Sequence, residues 1–103
     1  MTPGFRAADV ETVPEIGTEL DEQEALTPPW QVIIYNDPVN LMTYVAAVIR
    51  RIFGYDQEKA HRLMLDVHHK GKAIVWTGEQ EKAEFYVQQL QSYQLLAAMK
   101  KAG

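Results

Sequence analysis

Strand-like and helix-like segments alternate along this chain in an order that leaves few folds open. Two runs rich in β-branched and aromatic residues, WQVIIY (30–35) and KAIVWT (72–77), predict strands. A third run, LLAAMK (95–100), predicts a short closing strand, although alanine is a weak strand former. The segments between these strands have apolar residues at helical spacing, two helices in the first segment and one in the second, so the predicted order is β-α-α-β-α-β. This order indicates an α+β fold with three helices packed on one face of a small three-stranded antiparallel sheet.

Capping residues and glycines predict where the three helices begin and end. The first helix should follow Asn40, which can cap it, and should end at Gly54. Asp56 is placed to cap the second helix, and Gly71 to end it. TGEQ (77–80) matches the capping-box pattern and predicts the start of the third. Apolar residues at helical spacing predict three buried stripes: Val45, Val48, Ile49 and Ile52; Ala60, Leu63, Met64 and Val67; and Ala83, Tyr86, Val87 and Leu90.

The N-terminal segment differs in charge from the rest of the chain. Residues 1–29 contain seven acids and one base, whereas residues 30–103 contain seven acids and nine bases. The first segment has few large apolar side chains, so burial cannot offset the entropy of ordering it. We therefore predict a flexible acidic extension over residues 1–29 and one folded domain over residues 30–103. The extension is either an inert leader or an arm offered to a partner.

Composition argues against several classes of protein. The chain has no cysteine, so it can form neither a disulfide nor a thiolate metal site. No apolar run approaches the ~18 residues that a membrane span needs, and the N-terminus lacks a signal-peptide pattern. The folded part is only weakly basic, and its bases do not form stripes interleaved with aromatic residues. We therefore expect a cytoplasmic protein that binds neither membrane nor nucleic acid. We also expect it to be a monomer.

No set of residues suited to catalysis stands out. Ser92 is the only serine, and the chain has no glycine-rich phosphate loop. The richest metal-ligand candidate is DVHH (66–69) together with His61. His61 and His68 lie two helical turns apart, too far to share one zinc ion without a ligand from another element. We predict a protein that is not an enzyme and has no cofactor or metal. The alternative is a metal enzyme that uses His61, His68 and His69.

The polar turn after the first strand suggests a binding pocket. Asn36 and Asp37 leave that strand, and His68 ends the second helix, so the three hydrogen-bond acceptors can converge on an ammonium group. Methionine and valine side chains from the two helices could line an apolar hole behind them. The simpler interpretation is a turn followed by caps and core packing, because methionines at helical spacing are more often core residues. The apolar candidates are Met42, Val45, Met64 and Val67.

Two segments resemble a known family. NDPVNLMTYV (36–45), followed by GYDQEKAHRLMLDVHHKGKAI (54–74), is similar to ClpS, the adaptor of bacterial Hsp100–ClpP proteases, and the similarity extends over residues 30 to about 100. The resemblance implies an N-recognin, which binds proteins with a free N-terminal Leu, Phe, Tyr or Trp (an N-degron). It would hand them to a AAA+ unfoldase of the ClpA or ClpC type for ATP-dependent degradation by ClpP. The alternative from another class is an interaction module resembling that of the ribosomal stalk.

The resemblance also assigns roles to the polar residues of the turn and helix end. It implies that Asn36 and His68 hydrogen-bond the free α-amino group of the bound protein, and that Asp37 supports them. Asn40 stands where the family usually has a helix-capping threonine beside the pocket. Pro38 is a departure, because many members have an aspartate there that contacts the amino group.

The same resemblance assigns the pocket and a docking surface. It implies that Met42 is a gatekeeper that rejects β-branched first residues. Contacts with the unfoldase would lie around Glu79 and Lys82, in a segment whose charge pattern differs from better-known members. The hydrophobic pocket would be formed by Asn40, Met42, Val45, Met64 and Val67, with Asp66 nearby.

Overall fold

A computed structural model describes residues 28–102 of the chain. Within them, three helices and a three-stranded antiparallel sheet follow the order β-α-α-β-α-β, which confirms the predicted fold class. The predicted extension lies outside the described residues, apart from Pro28 and Pro29. The elements are β1 (Trp30–Tyr35), α1 (Met42–Phe53), α2 (Gln57–Lys70), β2 (Lys72–Gly78), α3 (Gln80–Ser92) and β3 (Ala97–Lys101).

Strand β1 occupies the centre of the sheet, in the strand order β2-β1-β3. Val32 pairs with Trp76 of β2 on one side and with Met99 of β3 on the other. The register between β1 and β2 shifts between Val32 and Ile33. Val32, Ile33 and Ile34 are all buried. The β-branched run of β1 therefore matches its central place, since β-branched side chains pack well on a pleated and buried surface.

The core lies between the sheet and the three helices. Val32 and Ile34 of β1 belong to it, together with the buried faces of the helices. Each buried aliphatic side chain contributes roughly 1.5–3 kcal/mol to stability. The predicted helical stripes are confirmed: Val45, Val48, Ile49, Ala60, Met64, Val67, Ala83 and Leu90 are buried, and Ile52, Leu63, Tyr86 and Val87 pack against them partly buried.

The helices between residues 28 and 102 are too short or too polar for any of them to span a membrane.

The predicted ends of the first two helices are confirmed. Gly54 and Gly71 follow α1 and α2 with φ of 73° and 89°, the left-handed region that glycine adopts at low cost. The side chain of Asp56 accepts a hydrogen bond of 2.8 Å from the Lys59 N–H, as a cap should. These two glycines and this cap set where α2 begins and ends, and so place the residues of its last turn.

Two predicted helix starts are wrong. Asn40 does not cap α1, which has Leu41 at its N-cap position without a side-chain hydrogen bond. The TGEQ segment does not form a capping box either, because Thr77 and Gly78 remain in β2 and α3 begins after Glu79. Pairing with β1 retains Thr77 and Gly78 in the sheet, so tertiary structure overrides the local signal there.

The closing strand begins later than predicted. β3 covers Ala97–Lys101, so Leu95 and Leu96 precede it. Leu95 is buried in the core, and the Leu96 carbonyl accepts a hydrogen bond of 2.9 Å from the Tyr35 N–H. The alanines form the strand despite their low propensity, since β1 supplies a complete ladder of partners.

Candidate functional site

A cavity opens at the end of the molecule where β1 ends, α1 begins and α2 ends. Its volume is about 460 Å³, which is within the usual range for small ligand sites. Its apolar lining comes from the sheet, from two helices and from the segment before β3. These residues are Ile34, Leu41, Met42, Val45, Met64, Val67, Leu95 and Leu96. The polar residues at its edge are Asn36, Asp37, Asn40, Thr43 and His68.

Backbone hydrogen bonds hold the three sides of the cavity together. The Asn36 N–H donates to the carbonyl of Gly71 at 2.9 Å, which joins the end of β1 to the end of α2. The Tyr35 N–H donates to the carbonyl of Leu96 at 2.9 Å, which joins β1 to the segment before β3. The predicted convergence of Asn36 with His68 is therefore found: both residues line this cavity, and His68 lies three residues before Gly71.

The turn between β1 and α1 is stabilised by Asp37. Its Oδ1 accepts a hydrogen bond of 2.9 Å from the Val39 N–H, and its Oδ2 accepts one of 3.3 Å from the Asn40 side-chain amide. The Asn40 N–H also donates to the Asp37 carbonyl at 3.2 Å. This is the local side-chain bonding that makes aspartate a good turn residue. Each Asp37 oxygen thus has a partner within the turn, while lone pairs remain that can face the cavity.

Asn40 fixes the turn to a distant part of the chain. Its side-chain amide donates to the carbonyl of Gln94 at 3.0 Å. Close by, the Tyr44 hydroxyl donates to the carbonyl of Tyr93 at 2.8 Å. The start of α1 is therefore held against the connection between α3 and β3. Sequence reasoning interpreted Asn40 as a local cap and missed this role, which depends on a residue far along the chain.

The polar edge presents acceptors to the cavity mouth. Asn36 and His68 are exposed, and neither side chain takes part in a hydrogen bond with another of residues 28–102. His68 lies in the last turn of α2, where the helix carbonyls carry partial negative charge. His68 and His69 lie edge to face with 5.0 Å between ring centroids. The Asn36 oxygen and a His68 nitrogen can accept hydrogen bonds, and the Asp37 carboxylate and the helix C-terminus favour a cation at this edge.

The apolar walls contain every residue predicted for them. Val45, Met64 and Val67 are buried and line the cavity, and Met42 lines it half-buried at the start of α1. Sequence reasoning missed Ile34, Leu41, Leu95 and Leu96. Leu95 and Leu96 were assigned to a strand, and only the Tyr35–Leu96 pairing places them at the cavity.

Other candidate residues lie away from this cavity. Asp66 does not line it; its carboxylate instead lies 3.6 Å from the Lys70 ammonium along α2. Glu79 and Lys82 are exposed at the start of α3, the opposite end of that helix from the segment that borders the cavity. Among residues 28–102, no three histidine or carboxylate side chains are grouped so as to hold a metal ion, and this includes His61 and His69. Pro38 is exposed and lines the cavity.

The fold and the cavity together define a small α+β domain with an apolar pocket edged by hydrogen-bond acceptors. Comparison with known proteins gives the family. A family model described as "ATP-dependent Clp protease adaptor protein ClpS" matches residues 25–98. The chain therefore belongs to the ClpS family, whose members are adaptors of the Clp protease rather than enzymes.

Two relatives that carry the same family name support this assignment. The ATP-dependent Clp protease adapter protein ClpS of Streptomyces avermitilis is 52% identical over 71 residues, which cover 69% of this chain and 68% of that protein. The ClpS of Corynebacterium aurimucosum is 45% identical over 85 residues, covering 82% and 77%. Among solved structures, Agrobacterium tumefaciens ClpS2 bound to L-phenylalaninamide shares the fold. It has a TM-score of 0.69 and 20% identity, covering 74% of this chain and 99% of that one.

Proposed function

We propose that this protein binds proteins with a free N-terminal Leu, Phe, Tyr or Trp and delivers them to a ClpA- or ClpC-type unfoldase for degradation by ClpP. The observation that carries the proposal is the cavity itself, which is lined both by apolar walls and by the acceptors Asn36 and His68. A large apolar side chain next to a free ammonium group occurs in proteins only at an N-terminal residue. Agrobacterium tumefaciens ClpS2, which shares the fold, has L-phenylalaninamide bound, a ligand of this chemistry.

The apolar walls select the first side chain. Burying a Leu or Phe side chain contributes about 1.5–3 kcal/mol. Met64 is buried in the wall, and methionine adapts to ligands of different shape, which suits a site for both aliphatic and aromatic residues. Met42 is the gatekeeper in this proposal. Isoleucine and valine branch at Cβ, so their bulk would meet Met42 near the mouth, whereas leucine and phenylalanine carry theirs deeper.

The acceptors select the free amino group. An α-amino group has a pKa near ~8, so it is mostly an ammonium ion at neutral pH. In the proposal, the Asn36 side-chain oxygen and a His68 ring nitrogen accept its hydrogen bonds, each worth about 1.5–3 kcal/mol net. Asp37 supports them with its negative charge. Together with the buried side chain, and after the cost of association, these bonds give roughly micromolar affinity. An adaptor that must release its cargo requires an affinity of this order.

Delivery to the unfoldase uses other surfaces. Glu79 and Lys82 are exposed at the start of α3, so both could contact a partner while cargo occupies the cavity. We assign unfoldase docking to this region and handover to the acidic extension, residues 1–29. In these assignments, the surfaces that transfer the cargo to the unfoldase are different from the cavity that binds it.

A panel of peptides that differ only in their first residue tests the proposal. Fluorescence anisotropy should show binding for peptides that begin with Leu, Phe, Tyr or Trp, and little for those that begin with Ile, Val or Ser. Met42→Ala should admit the Ile and Val peptides while retaining the Phe peptide. Equal binding of all first residues by the wild-type protein would overturn the proposal. Unchanged discrimination in the variant would remove only Met42 from its role.

A further inference from the structure

Large apolar side chains are exposed around the mouth of the cavity. Val39 is 83% exposed, Leu41 74% and Leu96 52%. Leu41 and Leu96 line the cavity, and Val39 lies in the same turn as Leu41. We call these three residues the apolar rim. Tyr35 and Tyr44 are also exposed nearby, so exposed apolar residues of residues 28–102 are concentrated at this end of the molecule.

Folding does not account for the apolar rim. Turns between a strand and a helix usually carry polar residues. Leu41 occupies the N-cap of α1 with φ −71° and ψ 146°, and within residues 28–102 this N-cap position makes no side-chain capping hydrogen bond. Serine, threonine, aspartate and asparagine are strongly favoured at this position, and leucine is among the poorest choices. An apolar side chain that remains in water and leaves a helix uncapped is better explained by a binding partner.

The apolar rim is held in place beside the cavity. The Asn40 amide joins the turn to the carbonyl of Gln94, and the Tyr35 N–H holds the carbonyl of Leu96. Leu41 and Leu96 therefore belong to one fixed surface that continues from the apolar walls to the outside. Among the residues that the structure describes, no lysine or arginine lines this cavity. A partner segment seated on this surface is consequently apolar rather than acidic.

We propose that the apolar rim binds an apolar side chain at the second or third residue of the cargo. The inference rests on the proposed function, because it assumes that the first residue fills the cavity. Consecutive Cα atoms are ~3.8 Å apart, so the second and third residues lie within about 7 Å of the first as the chain leaves the mouth. The preferred cargo therefore begins with a large apolar residue and carries another directly after it.

Three fluorescent peptides that begin Phe-Ser-Ser, Phe-Leu-Ser and Phe-Ser-Leu test this with the full-length protein. At least one leucine-containing peptide should bind about fivefold to tenfold tighter than Phe-Ser-Ser, as expected for one further partly buried side chain. Leu41→Ser and Leu96→Ser should each reduce this preference, measured as the ratio of the affinities for the leucine-containing peptide and for Phe-Ser-Ser in the same variant. Phe85→Ser is the matched control, since Phe85 is 54% exposed on α3 and does not line the cavity.

Misfolding cannot explain a loss in Leu41→Ser, because serine supplies the missing N-cap and should raise the Tm. If all three peptides bind the wild-type protein equally, the apolar rim has no such role, although the proposed function stands. If none of them binds, the proposed function and the inference both fail. If the preference survives in both rim variants, or is lost in Phe85→Ser as well, the apolar rim is not its source.

Discussion

His68 and His69 occupy adjacent positions at the end of α2 but differ in what they face. Both are exposed histidines in the last turn, whereas only His68 lines the cavity. Their proximity to the helix C-terminus and their exposure are otherwise similar. The pair therefore offers a comparison in which the loss of one imidazole is measured against the loss of its neighbour.

His68→Ala should weaken the binding of a Phe-initiated peptide by about 1–3 kcal/mol, because the ammonium group loses one hydrogen-bond partner. His69→Ala should leave the affinity within about 0.5 kcal/mol of wild type, as exposed substitutions away from a site usually do. Isothermal titration of both variants checks this. Equal losses in the two variants would show that position in the helix, not contact with the ligand, explains the effect.

At the scale of elements, a tyrosine joins the connection between α1 and α2 to the sheet. The Tyr55 hydroxyl donates to the carbonyl of Val75 at 2.7 Å. Val75 has no register partner in β1, because the register shifts opposite it. The tyrosine thus satisfies a carbonyl at the irregularity in β2. Burial, and then the charge interaction with Tyr86, raise the pKa of Tyr55 above its ordinary value.

Tyr55→Phe should lower the free energy of unfolding at pH 7 by about 0.5–1.5 kcal/mol, the usual net value of one hydrogen bond. The raised pKa means that the folded state holds this proton more tightly than the unfolded state. The stabilisation that the protonated Tyr55 hydroxyl contributes to the folded state is therefore complete below pH ~10. It is lost as the pH rises through the folded-state pKa of Tyr55. Urea unfolding of both proteins at intervals from pH 7 to pH 11 should show the difference shrinking at the alkaline end. A constant difference over this range would contradict the assignment.

The sequence correctly predicted the features that short-range interactions determine. It did not predict the positions of residues whose contacts are with distant parts of the chain. The glycines that end α1 and α2 and the cap at Asp56 were predicted correctly, because φ and short-range hydrogen bonds determine them. Thr77 resembled a capping residue but remains in β2 through pairing with Gln31 of β1. Asn40 resembled a cap but bonds to Gln94, and Leu95 resembled a strand residue but lines the cavity. No local pattern contains these long-range contacts.

At the scale of the whole molecule, the cavity and the beginning of the domain lie at opposite ends of β1. The cavity is lined by Ile34 and Tyr35, which end that strand. At its other end, Trp30 pairs with Lys101, and the Ala102 N–H donates to the carbonyl of Pro29 at 2.8 Å. The extension therefore joins the domain about 17 Å from the cavity, the length of a strand of this size.

A truncated protein that begins at Pro29 should bind a Phe-initiated peptide with the affinity of the full chain, since it retains the whole cavity. It should fail to support degradation of a Phe-initiated protein in a reconstituted reaction with unfoldase, ClpP and ATP. Retaining Pro29 preserves the hydrogen bond to Ala102. Loss of peptide binding on truncation would place the extension at the cavity instead, and normal degradation would show that handover does not need it.

The central claim is that the site recognises a free N-terminus and not merely an apolar side chain. The most direct measurement compares a Phe-initiated fluorescent peptide with its N-acetylated twin by anisotropy at neutral pH. Acetylation removes the positive charge and its hydrogen bonds but leaves the phenylalanine side chain intact. We expect the free peptide to bind at roughly micromolar concentration and the acetylated one to bind at least tenfold more weakly, a difference of about 1.4 kcal/mol or more. Equal binding of the two peptides would contradict it.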